Sequence, residues 1–143
     1  MYKTILLTID VNEPASWKDA LPRAVELAKG WGSRLHVLSV VPDYGLPVVE
    51  GFFPADFREK AIRHGGEALE KLVATEIPAE LNAEAHIRYG TVHDEILHAI
   101  GALGADLVVM ASHAPDKMRE FLIGSQADRV VRRSPVSVLV VRC

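Results

Sequence analysis

Three short apolar runs decide the fold class. Residues 3–9, 35–41 and 107–110 are dense in Ile, Leu, Val and Met and are short for helices. They lack the alternation of a half-solvated strand, so each reads as a strand buried on both faces. Elsewhere the apolar positions fall at helical spacing: Trp17, Leu21, Val25 and Ala28, then Phe57, Ala61, Ala68 and Leu72, then Ile96, Leu97, Ile100 and Leu103. Residues 83–89 alternate around His86 and Arg88 like a strand nearer an edge. Residues 126–133 read as a short last helix and 136–141 as a last strand. Five strands alternating with four helices predict an α/β fold, a doubly wound five-stranded parallel sheet with helices on both faces (Rossmann-like). Right-handed crossovers leave few topologies, and the strand order 3-2-1-4-5 is the natural candidate.

The element ends carry their own signals. Ser16-x-x-Asp19, the stretch 91–94, and Ser125 with Asp128 read as helix-capping patterns. Gly30, Gly32 and Gly104 read as stops. Pro22 falls inside the first stripe, so it either bends that helix or lies in the first turn of a helix that begins later. The second helix, expected over 55–73, carries Gly65-Gly66 at its middle, each glycine weakening it by ~1 kcal/mol. Residues 42–53, with two prolines and two glycines, read as a long loop.

At 143 residues a single domain spanning 1–143 is expected. The net charge of -3 argues against a nucleic-acid partner. Cys143 is the sole cysteine, so the chain holds no internal disulfide and no Cys/His zinc spacing. His93 and His98 are five residues apart on one helix, at about 100° per residue on different faces, and no metal site is expected from them. No apolar run reaches the roughly 20 residues that span a bilayer. The N-terminal apolar stretch closes at Asp10, short of a signal-peptide core. The expectation is a cytoplasmic protein without membrane insertion.

The order 3-2-1-4-5 reverses between strands 1 and 4, and ligands in such sheets bind beside that switch at the carboxyl ends of the strands. The predicted crevice has Ile9, Asp10 and Val11 on one side, Met110, Ala111 and Ser112 on the other, and Val40 and Val41 next door. Gly124-Ser125 opens the last helix, where unpaired N–H groups and the helix dipole favour an anion. Asp10 and this helix start are expected to face one pocket, which would hold a nucleotide.

These residues resemble the universal stress protein family over the whole chain. The resemblance is carried by the start Tyr2-Lys3-Thr4-Ile5-Leu6-Leu7-Thr8-Ile9-Asp10, the segment Gly104-Ala105-Asp106-Leu107-Val108-Val109-Met110, and the tail from Gly124-Ser125-Gln126 to Arg142. It implies a homodimer paired through the last strand, 136–141. In the nucleotide-binding branch it implies ATP held by a loop of pattern G-x-x-G-x9-G-[ST], with Mg2+, AMP or ADP as further ligands. The two early glycines of that pattern fall on Ala111 and Ala114, while Gly124-Ser125 matches the late pair. The loop Ser112-His113-Ala114-Pro115-Asp116 is similar to that of a family subgroup associated with nucleotides. Pro115 biases Ala114 toward an extended backbone, so this loop runs differently from the glycine version. By resemblance, Asp10 accepts from ribose hydroxyls and Val41 packs on adenine. Ser125 and Gln126 offer backbone N–H groups to the phosphates, Gly124 allows close approach, and Lys117 and Arg119 supply positive charge.

Each reading has a plainer counterpart. Asp10 also fits a turn cap, and Gly124-Ser125 a simple helix start. His113 fits either a phosphate contact or a solvent-facing turn. His36 reads as a satisfied core histidine, Arg129, Arg132 and Arg133 as a solvated helix face, and Trp17 and Trp31 as packing residues. The leading functional reading is a nucleotide-sensitive dimeric regulator of the stress response with an unknown protein partner, and not an enzyme. No GxxxxGK[ST] motif is present, and no second acidic strand end is placed for magnesium. The alternative is a dimeric adaptor with the same fold and an empty pocket. An enzyme of the wider adenine-nucleotide hydrolase group ranks last, for want of HxGH or SGGxDS.

Overall fold

The computed structural model describes residues 1–43, 56–112 and 124–142. These form β1 (Thr4–Ile9), α1 (Ala20–Trp31), β2 (Arg34–Pro42), α2 (Phe57–Glu76), β3 (Glu84–Gly90), α3 (Val92–Leu103), β4 (Leu107–Ser112), α4 (Ser125–Arg133) and β5 (Ser137–Arg142). Two 3-10 turns, Pro14–Ser16 and Ala79–Leu81, lie between them. All five strands pair in parallel in the order β3-β2-β1-β4-β5, as the alternation of elements predicts.

Alternate residues of the central strands feed two separate cores, as a period of two requires. On one face Ile5, Leu7, Leu35, Val37, Leu107 and Val109 meet Ala20, Leu21, Ala24 and Ala28 of α1 and Leu69 of α2. On the other, Leu6, Leu38, Val108 and Met110 meet Ile96, Ala99 and Ile100 of α3 and Ala127 and Val130 of α4. The sheet is therefore wound twice, two helices to a face. Gly65 and Gly66 have a packing reason: a Cβ on Gly65 would lie 3.0 Å from Ile87 Cδ1 and 3.3 Å from Val41 Cγ2. The pair lets α2 approach β2 and β3 closely.

The capping patterns form differently from the sequence expectation. α1 starts at Ala20 with Asp19 before it, and neither Asp19, Thr91 nor Gly124 makes a side-chain cap hydrogen bond. Ser16 lies in the 3-10 turn, where its hydroxyl serves Asp10 rather than the helix. Asp128 turns outward and holds Arg132 Nε at 3.0 and 3.1 Å. Pro22 is the third residue of α1, so the later-start reading holds and no helical bond is lost. Gly32 and Gly104 end α1 and α3 in the left-handed region, at φ 64° and 65°. The solvated-face reading holds for Arg129, Arg132 and Arg133, all exposed. Trp31 packs edge-on against Tyr2, with centroids 5.2 Å apart.

The amino ends of β1 and β4 are clamped by one carboxylate. Asp106 Oδ2 accepts from Lys3 N and Oδ1 from Thr4 N, both at 2.9 Å, while Asp106 N donates to Thr4 O at 3.0 Å. Burial works to raise the Asp106 pKa, but the amides of Lys3 and Thr4, with its own amide and the Lys3 charge, hold it below its ordinary value of 3.8. A depressed carboxylate pKa contributes stability above the unfolded pKa and loses it as pH falls through the folded one. Asp106→Ala should lower unfolding stability by about 1–3 kcal/mol in urea titrations at pH 7. The difference from the native protein should shrink as pH falls below about 4 and vanish once pH passes the depressed folded-state pKa, where the native clamp loses its charge too.

Candidate functional site

β1 and β4 lie side by side, with Ile5 against Leu107 and Thr8 against Met110. The helices that follow these two strands lie on opposite faces: β1 passes to the 3-10 turn and α1 on one, and α4, next in the element order after β4, packs on the other. A cleft of about 380 Å³ opens at that divergence. Clefts of about 300–1,000 Å³ are the usual size of small-ligand sites.

Two hydrogen-bond systems hold its rims. At the β1 rim, Asp10 N donates to Ser16 Oγ at 2.8 Å, and Glu13 N to Asp10 O at 3.0 Å. Asp10 Oδ1 accepts from Asn12 N at 3.0 Å, so the turn-cap reading of Asp10 holds while the residue also lines the cleft. At the α4 rim, Gly124 N donates to Ser112 Oγ at 3.1 Å, and Ser112 is buried. That bond ties the start of α4 to the end of β4. The first-turn amides of α4, at Ser125, Gln126 and Ala127, have no acceptor within the helix by the geometry of a helix start. All three residues line the cleft.

Of the sequence-predicted site residues, Ile9, Asp10, Val40, Met110, Ala111, Gly124, Ser125 and Gln126 come together around this one cleft. Ser112 sits behind it as the bracket for Gly124. Val41 points its side chain at the opposite face, toward Gly65 of α2. Of the two valines expected at the site, Val40 lines the cleft and Val41 does not, because successive strand residues face opposite sides. His113, Ala114, Lys117 and Arg119 lie outside the described residues. Ala111 is not among the positive-φ residues, so its methyl group replaces glycine without backbone strain.

The structure adds residues that the sequence did not flag. Glu13, in the turn after β1 and not at a strand end, lines the cleft beside Asp10 as a second carboxylate. Thr8, Leu38, Pro42, Val92 and Ile96 supply further wall. Val92 and Ile96 are one helical turn apart at the start of α3, a spacing visible in the sequence as an apolar stripe but equally consistent with core. Gln126 brings a side chain as well as an amide: its Oε1 is buried without a hydrogen-bond partner among the described residues. His93 and His98 do not converge; His93 Nε2 lies 3.4 Å from Asp94 and His98 Nδ1 3.8 Å from Glu95. Among the described residues no helix is long and apolar enough to cross a membrane.

Comparison with known proteins places the chain. The profile of the universal stress protein family matches residues 1–142. Universal stress protein G of Escherichia coli O157:H7 is 35% identical over 145 residues, which cover 99% of this chain and 100% of that protein. Among solved structures, universal stress protein UspA from Lactobacillus plantarum superposes with a TM-score of 0.75 at 25% identity, covering 99% of this chain and 98% of that one. A universal stress protein crystallised in complex with cAMP shares the fold at a TM-score of 0.60 and 22% identity, covering 99% and 97%. With a family match along nearly its full length and a relative above 30% identity across the whole, this chain belongs to the universal stress protein family.

Proposed function

We propose that the chain is a cytoplasmic regulatory protein of the stress response that binds an adenine nucleotide, ATP foremost, and works as a homodimer. One observation carries the nucleotide reading: the acidic tip of β1 and the amide-bearing first turn of α4 open into the same cleft. In this reading the Asp10 carboxylate accepts from ribose hydroxyls and the Ser125 and Gln126 amides donate to phosphate oxygens. Leu38, Val40 and Ile96 form the apolar wall against which a base lies. The buried Gln126 Oε1 lacks a donor among the described residues, a deficit of about 1–3 kcal/mol that a turn of the side chain toward a ligand hydroxyl or amino group recovers. The complex of a family member with cAMP supports an adenine nucleotide as the ligand class. The reading assigns no turnover; among the described residues beside the cleft none is arranged as a nucleophile with its base.

A second reading, a dimeric adaptor with an empty cleft, draws on the charges at the β1 rim. Asp10 and Glu13 are both carboxylates, and they repel a polyphosphate unless Mg2+ or a lysine or arginine offsets them. The β5 edge supports the proposed dimer. Leu139 there is 39% exposed, and β5 pairs with β4 alone among the described strands. A second copy adding its own β5 would cover that row of backbone groups.

Acid extraction of the purified protein and calorimetric titration with ATP separate the two readings. Extracted nucleotide, or micromolar ATP affinity, is the expected result; an empty protein giving no heat at millimolar ATP assigns the adaptor role. Gly124 has φ -54°, open to any side chain, so Gly124→Trp should abolish binding by filling the cleft while leaving the fold intact. Asp10→Ala should weaken ATP by about tenfold, near 1.4 kcal/mol. ATP hydrolysis by the native chain should not exceed that of an Asp10→Ala/Ser125→Ala double variant. For the dimer, sedimentation should show twice the 15.7 kDa chain mass, falling to the single-chain value for Leu139→Lys.

A further inference from the structure

We propose that His36, His86 and Glu84 form a binding site for a first-row divalent metal ion, with Zn2+ as the reference ion, at the end of the sheet opposite the cleft. Three ligand atoms converge there: His36 Nδ1, His86 Nε2 and a Glu84 carboxylate oxygen. The two nitrogens are 2.9 Å apart, and Glu84 Oε2 lies 3.4 Å from His36 Nδ1 and 3.8 Å from His86 Nε2. A circle through three points at those separations has a radius of about 2.0 Å. That matches Zn–N and Zn–O bond lengths of about 2.0–2.2 Å, so one ion reaches all three atoms with shifts of a few tenths of an ångström.

The parallel register builds the cluster. His36 of β2 lies directly opposite Glu84 of β3, and Leu38 opposite His86. Glu84 and His86 are two residues apart, so they share a face, and His36 points to that same face. The His36 side chain is 10% exposed and that of His86 28%, so both imidazoles are held in place by packing. Glu84 is 67% exposed and leaves a solvent path for the ion and for a water as the remaining ligand. Only one proton fits between the two ring nitrogens, so a carboxylate and two imidazoles face one another with a single donor among them. A cation satisfies all three acceptors at once. Arg88, two residues beyond His86 on that face, is paired with Glu95 at 3.3 Å. Two imidazoles with one carboxylate and an open position suit Zn2+ and its first-row neighbours rather than Mg2+ or Ca2+, which prefer all-oxygen shells.

The site is separate from the nucleotide cleft. None of the three ligands lines the cleft; the cleft residue nearest along β2 is Leu38, opposite His86 in the register and two residues from His36, roughly 7 Å at the rise of a strand. Calorimetric titration of Zn2+ into the full native chain tests the assignment, with no nucleotide present. One Zn2+ per chain is expected. Glu84→Gln, at an exposed position that leaves the fold intact, should weaken binding by about tenfold or more, and His86→Asn should remove it. Cys143→Ser should leave it unchanged. Native Co2+-loaded protein should show ligand-field absorption that His86→Asn loses. Absence of Zn2+ binding by the native chain, binding that Glu84→Gln and His86→Asn both leave unchanged, or its loss on Cys143→Ser would overturn the site.

Discussion

The parallel pairing of β1 with β4 is the contact on which the rest of the molecule turns. β1 has β2 on its other side, and β4 has β5, so the chain order reverses across this one seam. The helices that follow β1 and β4 cover opposite faces, because α1 belongs to one core and α4 to the other. The cleft lies above that seam, lined by described residues of both halves. Asp106 secures the amino ends of the same two strands through the amides of Lys3 and Thr4. A shift of register at that clamp would carry Ile9 and Met110 out of step and misalign the two rims.

The rims are made by side-chain hydroxyls acting on backbone. Ser16 takes the Asp10 amide, and Ser112 takes the Gly124 amide. Each serine thus aims a neighbouring segment at the cleft, which Ser16 itself lines. This also explains why the capping pattern at Ser16 goes unused. A serine hydroxyl near a strand end has competing backbone partners, and the turn after β1 brings Asp10 and Glu13 within 2.9 Å of it before the helix begins.

The architecture was legible in the sequence because its signals are local. Apolar runs with no alternation mark central strands, and the stripe from Ile96 to Leu103 marks a helix whatever it packs on. The cleft was legible in part, since strand order alone brings Asp10 and Gly124 to one side. Sequence spacing could not distinguish Val40 from Val41, because a strand's inward phase depends on which face the cleft occupies. It also could not assign Val92, Ile96 and Glu13 to the wall: the first two are reached only through the crossover of α3, and the third through a turn whose shape depends on Ser16. The His36, Glu84 and His86 group was invisible for a sharper reason. Its members are 48 and two residues apart, a spacing that means nothing until the register of β2 on β3 is known.

The two edges of the sheet are built to opposite rules, and this bears on which one can pair with another chain. β3 carries Glu84, His86 and Arg88 along one face, and α2 covers its other face, with Gly66 against Ile87 and Arg58 4.4 Å above the Tyr89 ring. Charge and cover of this kind discourage strand addition. β5 reads Ser-Val-Leu-Val-Val before its first charge at Arg142, and exposes Leu139. Only the second edge offers backbone groups beside apolar side chains without a charged row to desolvate. The proposed dimer and the proposed metal site therefore sit on opposite edges, and the cleft lies between them above the central seam. A nucleotide or an ion bound at one place leaves the others sterically accessible, so any coupling among the three has to pass through the strands they share.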